Sequence, residues 1–388
     1  SEMCIRDSLL ILNLIYYYTM SYFFKLFFFV FFFNSLNAEV TVHDFKKYKV
    51  VTEKLKLKEV VKGLNHPWGL TFIDEENLIV TEKNGGLLKI NINSKKVTKI
   101  KHKINSIPFD GSDQGGLLDV LYDNGFLYFS YSHQFENTKT SKKLYSTAIS
   151  RGRLIDNEIK NLELLLLGKP KLSKNIHWGS RIVINKNLLY AGFGERGLGM
   201  IAQDPSKHPG SIIRINIDGS IPKDNPHNTN KPNWLPEIYQ IGVRNPQGMA
   251  ISPKNKKIYF SQHGPRGGDN IGILKKSGNY GWKVVAWGGT EYYGAKIGTE
   301  PFKKKYDLPI ISWVPSIGVG QINFYSGNTF PEWDGNLIVS ATKAGLLFRL
   351  VLENDKVVEQ EIILNNEIGR IRDFEVGANG DIFLIVDD

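Results

Sequence analysis

Residues 244–262 read RNPQGMAISPKNKKIYFSQ. A polar loop, Arg244-Asn245-Pro246-Gln247-Gly248, leads into a short apolar strand at Met249–Ile251, a turn at Pro253–Lys256 and a second apolar strand at Ile258–Gln262. Short apolar runs bounded by Gly, Pro and Asn read as strands joined by tight turns. The unit recurs. His66-Pro67-Trp68-Gly69-Leu70-Thr71-Phe72 precedes a turn at Asp74–Glu76 and the strand Asn77–Thr81. Asp113-Gln114-Gly115-Gly116 opens a third copy, with strands at Leu117–Leu121 and Phe126–Tyr131. His177-Trp178-Gly179-Ser180 opens another, with strands at Arg181–Ile184 and Leu188–Phe193. The remaining copies are Gly318–Tyr325 with Asn336–Ala341, and Arg370-Ile371-Arg372-Asp373 with Phe374–Val376 and Asp381–Val386.

Units recurring roughly every 45–80 residues fit propeller blades with inserted loops. The expected fold is therefore all-β, a six-bladed β-propeller of four-stranded antiparallel blades. Long helical periodicity is absent, and no Gly-rich loop leads from a strand into a helix, which disfavours a dinucleotide fold. A two-sheet sandwich is the rival, but six copies over about 330 residues exceed its usual size.

Composition agrees with this reading. The 388 residues are 41% hydrophobic and include 37 Gly, 22 Phe, 17 Tyr and 7 Trp, a balance suited to a Gly-turned, aromatic-rich β domain. The one cysteine, Cys4, lies outside the expected domain, which excludes disulfides, cysteine-based zinc sites and thiol catalysis there. The net charge of +10 is scattered in short runs such as Lys303–Lys305, and reads as solvated surface lysine, with no nucleic-acid partner expected.

Met20 opens a short region with Lys25, the apolar run Leu26–Phe33, and Ser35-Leu36-Asn37-Ala38, the layout of a secretory signal peptide. The run is too short to span a bilayer. The expected organisation is an upstream artefact at 1–19, a signal peptide at 20–38 and a single propeller domain at 39–388. The expected location is periplasmic or secreted, without stable membrane insertion after signal cleavage. The sequence stops just after a strand, at Asp387-Asp388, so the closing strand is expected to be missing through C-terminal truncation, or supplied by Val40–Lys49.

Corresponding loops of a propeller share one end of its central channel. The loops before the repeated strands carry His66, Gln114, His177, Arg244, Asn245, Arg370 and Arg372. Polar groups converging on one concavity are the default candidate for a binding site.

In these loops the chain resembles the glucose/sorbosone dehydrogenase family, the soluble quinoprotein glucose and aldose sugar dehydrogenases. The resemblance runs from about Leu64 to Asp387. It is carried by the stretch Gly210–Pro226 (GSIIRINIDGSIPKDNP), Gly242-Val243-Arg244-Asn245-Pro246-Gln247-Gly248, Gln262-His263-Gly264-Pro265-Arg266-Gly267-Gly268-Asp269, Gly278-Asn279-Tyr280-Gly281-Trp282 and Arg370-Ile371-Arg372-Asp373. It implies oxidation of an aldose at its anomeric carbon to a lactone, with pyrroloquinoline quinone (PQQ) and Ca2+ as cofactors and an unknown electron acceptor.

By this resemblance His177 is the general base, a role that suits an imidazole titrating near neutrality. The family has an acidic residue just before this histidine; here that neighbour is Ile176, so another group must orient the ring. Arg244 and Asn245 donate toward the quinone oxygen that gains charge. Lys343, Arg370 and Arg372 meet the cofactor carboxylates, as rigid guanidinium forks do well. Gln114 and Tyr292 add cofactor contacts, and Trp313 covers the sugar. The carbonyls of Gly264 and Pro265 hold the calcium that touches the cofactor. A second calcium uses Tyr280 and Asn270, where the family has Glu, so that site is expected to be weaker or absent.

Read as residues alone, each candidate keeps an ordinary alternative. These are a histidine satisfied within its turn, surface ion pairs for Arg370 and Arg372, a solvated Lys343, and aromatic packing between blades. Two other functions also stay open at this point. One is a calcium-dependent propeller lactonase, which would want several carboxylates on one metal. The other is a non-catalytic ligand-binding propeller.

Overall fold

The computed structural model describes residues 9–14, 41–43, 49–50, 55–135 and 143–387. The segment 20–38, read as a signal peptide, and Asp388 lie outside the described residues. The fold is an all-β propeller of four-stranded antiparallel blades, each blade formed by four consecutive strands. The first blade comprises Pro67–Phe72, Asn77–Glu82, Leu87–Asn91 and Val97–Lys99. The second comprises Leu117–Asp123, Phe126–Phe135, Leu144–Ile155 and Glu158–Leu167. Gly179–Asn185, Leu188–Phe193, Ser211–Asn216 and Ile238–Ile241 make the third. The fourth is Pro246–Ile251, Ile258–Gln262, Asp269–Ile273 and Ile311–Trp313. The fifth is Val319–Phe324, Leu337–Ala341, Leu346–Glu353 and Lys356–Asn365.

The expected count of six blades is corrected to five. The last sequence copy supplies two strands, Ile371–Val376 and Ile382–Val386, and its sheet is composite. Leu9–Leu14, in a stretch the sequence set apart from the domain, pairs on one side with Ile382–Val386 and on the other with Leu55–Val61. The physical reason is edge satisfaction, since an inner hairpin with an open edge leaves a row of unpaired N–H and C=O groups. Here a strand distant in sequence covers that edge. The described residues of the segment 40–49 do not do so. Thr41–His43 instead adds in parallel to Ile311–Trp313, and Lys49–Val50 adds to Lys356–Asn365. The inner strands touch their neighbours in chain order, and Ile371–Val376 meets Pro67–Phe72 to close the ring.

Local chemistry explains the hairpins. Asn124-Gly125, Asp156-Asn157, Lys186-Asn187 and Asn354-Asp355 all have paired positive φ values between 46° and 79°. That is the backbone of the type I′ turn, whose twist matches that of antiparallel strands. A second regularity joins the blades. Side-chain hydroxyls on the second strand reach a carbonyl on the next blade's inner strand, from Thr81 to Leu118, from Ser130 to Ser180 at 2.5 Å and from Ser261 to Gly320 at 2.6 Å. Where the third blade meets the fourth, the equivalent position is Gly192, at which a Cβ would stand 2.6 Å from Pro246.

At the centre lies Arg181, whose side chain is 2% exposed. Its Nη1 donates to Asp119 at 2.7 Å and to Asp373 at 2.9 Å, while Nε donates to the Gln247 carbonyl at 2.9 Å. Asp373 also accepts from the Leu70 amide at 3.0 Å, and Asp119 from the Ile182 amide at 2.7 Å. Four blades and the composite sheet thus meet at one guanidinium. Burial pushes the Asp119 carboxyl up to about 7 and Glu375 up to about 8, despite the pull of Arg181.

Removing this cation strands its carboxylates in the interior. Arg181→Met is expected to cost about 3–5 kcal/mol, the scale for breaking a buried ion pair. The loss grows as pH rises through about 7, where the parent's Asp119 ionises beside Arg181 while the variant's buried carboxyl still holds its proton. Urea melts across pH check this; a loss that stays constant with pH contradicts it.

Candidate active site

The loops at one end of the channel enclose a cavity of about 450 Å³. Its walls come from the loops before the inner strands and from the turns after the second strands. Trp68, Leu118 and Trp178 form apolar surfaces; Gln114, Asn245 and His263 are polar; Lys83, Arg370 and Arg372 are cationic; Asp113 and Asp387 are anionic. Arg181 stacks at 4.5 Å on the Trp68 ring, so the central ion cluster adjoins a cavity wall.

His177 stands beside this cavity, with its φ at +51°, on the loop between the second and third blades. Three groups fix it. Its amide donates to the Gln114 side-chain oxygen at 2.9 Å. Its Nδ1 lies 2.5 Å from Glu195 Oε1, and its Nε2 lies 3.3 Å from Arg244 Nη2. A guanidinium can only donate. Nε2 must therefore accept, which puts the ring proton on Nδ1, where it donates to Glu195. The result is a neutral imidazole with its basic lone pair beside Arg244. Its pKa is held below the ordinary value, chiefly by burial and further by Arg244, while the hydrogen bond to Glu195 opposes the shift. Burial works to raise Glu195, but His177 and the Gly199 amide, at 2.6 Å from Oε2, outweigh it and keep the group a carboxylate.

The residue after Glu195 braces the same loop. Arg196 is 2% exposed and lies 3.4 Å from the Trp178 ring. Its Nε donates to the Ile176 carbonyl at 3.1 Å, and its Nη2 donates to the Lys174 carbonyl. The pair Glu195-Arg196 therefore holds both the ring of His177 and the backbone leading into it.

Arg244 and Asn245 enter from the start of the fourth blade. The Arg244 amide donates to Gln262 at 2.9 Å, and Asn245 Oδ1 accepts from the Gly179 amide at 2.9 Å. Trp178 Nε1, Arg244 Nε and His263 Nε2 are buried without a hydrogen-bond partner. Burial holds His263 down to about 4, so it too is neutral. On the opposite wall, Arg372 donates to Asp387 through Nη2 at 2.8 Å and Nε at 3.1 Å. The cations Lys83, Arg370 and Arg372 on the cavity wall fit a ligand rich in anionic oxygens.

The structure brings Gln114, His177, Arg244, Asn245, Arg370 and Arg372 together around this cavity. Lys343 is exposed and lines a smaller neighbouring cavity, while Thr342 before it reaches the main one. Tyr292 projects into solvent at 69% exposure and does not line the cavity. Trp313 is fully buried on the outermost strand of the fourth blade, edge-on to Phe348, with its Nε1 donating to Gln360 at 3.0 Å. Its strand position directs it into the core.

Gly264 and Pro265 form a buried turn pinned by Asp269, which accepts from the Gly264 amide at 2.7 Å. Asn270 and Tyr280 have their polar atoms in use. Asn270 accepts from Gln262 at 3.1 Å and donates to the Gly268 carbonyl at 2.8 Å, while the Tyr280 hydroxyl both donates to and accepts from the Ile273 backbone. That pair does not fit a second calcium. Among the described residues no group of three or more His, Cys, Asp or Glu is placed to hold a metal.

Glu195, Lys83, His263 and Asp387 were not singled out from the sequence. Glu195 and Lys83 follow second strands, and that register shared with His263 and Lys343 is the signal that could have found them.

The Glucose / Sorbosone dehydrogenase family model matches residues 64–388, and the chain belongs to that family. It is 33% identical to aldose sugar dehydrogenase YliI of Escherichia coli strain K12, over 84% of this chain and 88% of that one. It is 26% identical to quinoprotein glucose dehydrogenase B of Acinetobacter calcoaceticus, over 88% of this chain and 87% of that one. A crystal structure of a glucose dehydrogenase superposes with a TM-score of 0.77 at 30% identity, covering 85% of this chain and 99% of that chain.

The Glu195 pairing makes a signed prediction. A carboxylate raises the pKa of the histidine it faces, so Glu195→Gln should lower that of His177 further. NMR titration of the ring C–H signals measures this. An unchanged or raised value would contradict the assigned pairing.

Proposed function

We propose that the protein oxidises aldoses at the anomeric carbon to lactones, with PQQ and one calcium bound at this cavity. The observation that carries the reading is a neutral His177 at the edge of the cavity, fixed at Nδ1 by Glu195, with its Nε2 lone pair directed at Arg244, a long contact that a substrate hydroxyl would replace. The kinship with sugar dehydrogenases, one of them named a quinoprotein, supports it.

Oxidising a sugar hemiacetal to a lactone removes the proton of the anomeric hydroxyl oxygen and the hydride of the carbon that bears it. His177 Nε2 takes the proton, a task suited to an imidazole that is neutral at working pH. Bound PQQ would supply the hydride acceptor. Arg244 and Asn245 offer donors where negative charge develops. Arg370 and Arg372 meet carboxylates of the ligand. Carbonyls of Gly264 and Pro265 would hold the calcium, beside the buried negative charge of Asp269. Leu198 and Met200, exposed on the loop that follows Glu195, offer an apolar surface for the C–H face of a sugar.

The segment 20–38 has the layout of a signal for export to the periplasm or beyond; in the uncleaved chain the domain at 39–388 also draws on Leu9–Leu14 for its composite sheet.

The test is reconstitution. Apo protein given PQQ and calcium should reduce a redox dye with at least one aldose, and no quinone-dependent signal with any sugar sinks the proposal. His177→Ala should lower kcat by about 10²–10⁴-fold, the usual contribution of a general base, while quinone binding persists. Activity retained by that variant would remove His177 from the role.

A further inference from the structure

Lys83 follows the second strand of the first blade and is 8% exposed. Its backbone is fixed on both sides, its amide donating to the His66 carbonyl at 3.0 Å and its carbonyl accepting from the Phe109 amide at 3.1 Å. The side chain lines the same cavity as Arg370 and Arg372, with Nζ 3.3 Å from the centre of the Phe109 ring. A buried ammonium ordinarily sits on a carboxylate. This one rests on a ring and faces the cavity.

We infer that Lys83 is a third cation of the ligand clamp, completing with Arg370 and Arg372 a wall that binds the carboxylates of the quinone. The inference rests on the quinone reading above. Charge balance gives it weight. Asp387, which engages Arg372, and Asp113 on the same cavity wall together offset two of the three cations. An anionic ligand then needs the remaining positive charge, and Lys83 supplies it from a buried position where little water screens it. Phe109 limits where the ammonium can go, so less freedom is lost when a carboxylate arrives.

The surroundings of Lys83 add a pH signature. Burial pulls its pKa down to about 8, Arg372 and Arg370 push the same way, and Asp387 and Asp113 oppose them. His66 shares the wall, 3.7 Å from Asp387. The ammonium loses its proton as pH rises through that value, so attraction for an anion fades there.

The experiment titrates PQQ, with calcium present, into apo protein and follows quenching of tryptophan fluorescence, since Trp68 and Trp178 line the cavity. Lys83→Met should weaken binding about tenfold or more at neutral pH. Lys83→Arg should bind like the parent. Between about pH 7 and about pH 9 the parent's affinity should fall, while that of Lys83→Arg stays flat, because a guanidinium keeps its charge. Thermal melts show whether the variants fold. Binding by a folded Lys83→Met as tight as the parent's overturns the inference. So does a fall with pH in Lys83→Arg equal to the parent's, a test that stands even if the methionine variant unfolds. If the parent binds no quinone at all, the functional reading fails and this inference falls with it. A parent that binds quinone while the Lys83 variants behave identically removes Lys83 alone.

Discussion

One guanidinium at the centre of the ring sets the position of everything around it. Arg181 comes from the third blade, its carboxylate partners from the second blade and the composite sheet, and its carbonyl acceptor from the fourth blade. A buried ion cluster is a weak source of net stability, because desolvation consumes most of what the charges gain. Its value is directional. A forked donor with fixed angles accepts one arrangement of partners, whereas apolar packing between twisted sheets tolerates sliding. The hydroxyl-to-carbonyl bonds from Thr81, Ser130 and Ser261 repeat that constraint farther out, one blade boundary at a time.

The site inherits this rigidity. His177 receives its three contacts from three places, Gln114 before the second blade, Glu195 after the second strand of the third blade, and Arg244 before the fourth. A displacement of one inner strand along its neighbour would break at least one of them. Tautomer and orientation of the base are thus consequences of blade register, and the αL backbone of His177 persists because its surroundings over-determine it.

The strands were legible because each inner hairpin reads as a short apolar run between turn residues. Val319–Phe324 and Ile382–Val386 stand within a residue or so of where the pattern puts them. Placement of the polar loops on one rim followed from the repeat itself. The closing sheet was not legible, since pairing of Leu9–Leu14 with Leu55–Val61 is a long-range choice with no local signature. Trp313 and Tyr292 show a second limit. Aromatic residues near a motif look alike in sequence, yet one lies on an outer strand facing the core and the other at an exposed turn. Glu195 shows a third. Ile176 signalled that an orienting carboxylate had to come from elsewhere, but only the fold brings residue 195 against residue 177.

Asp387 gives the cavity a property of its own. Its carboxylate occupies the Arg372 fork as an incoming anion would, and holds that side chain at the wall. It acts as a resident understudy for the ligand. The arginine does not have to be recruited from solvent, so the ordering entropy of a long flexible side chain is already spent before any encounter. The same carboxylate sets a threshold for admission. Monoanions that offer no more than Asp387 already provides gain little by displacing it, whereas a molecule presenting several carboxylates at once can share the fork and engage the neighbouring cations together.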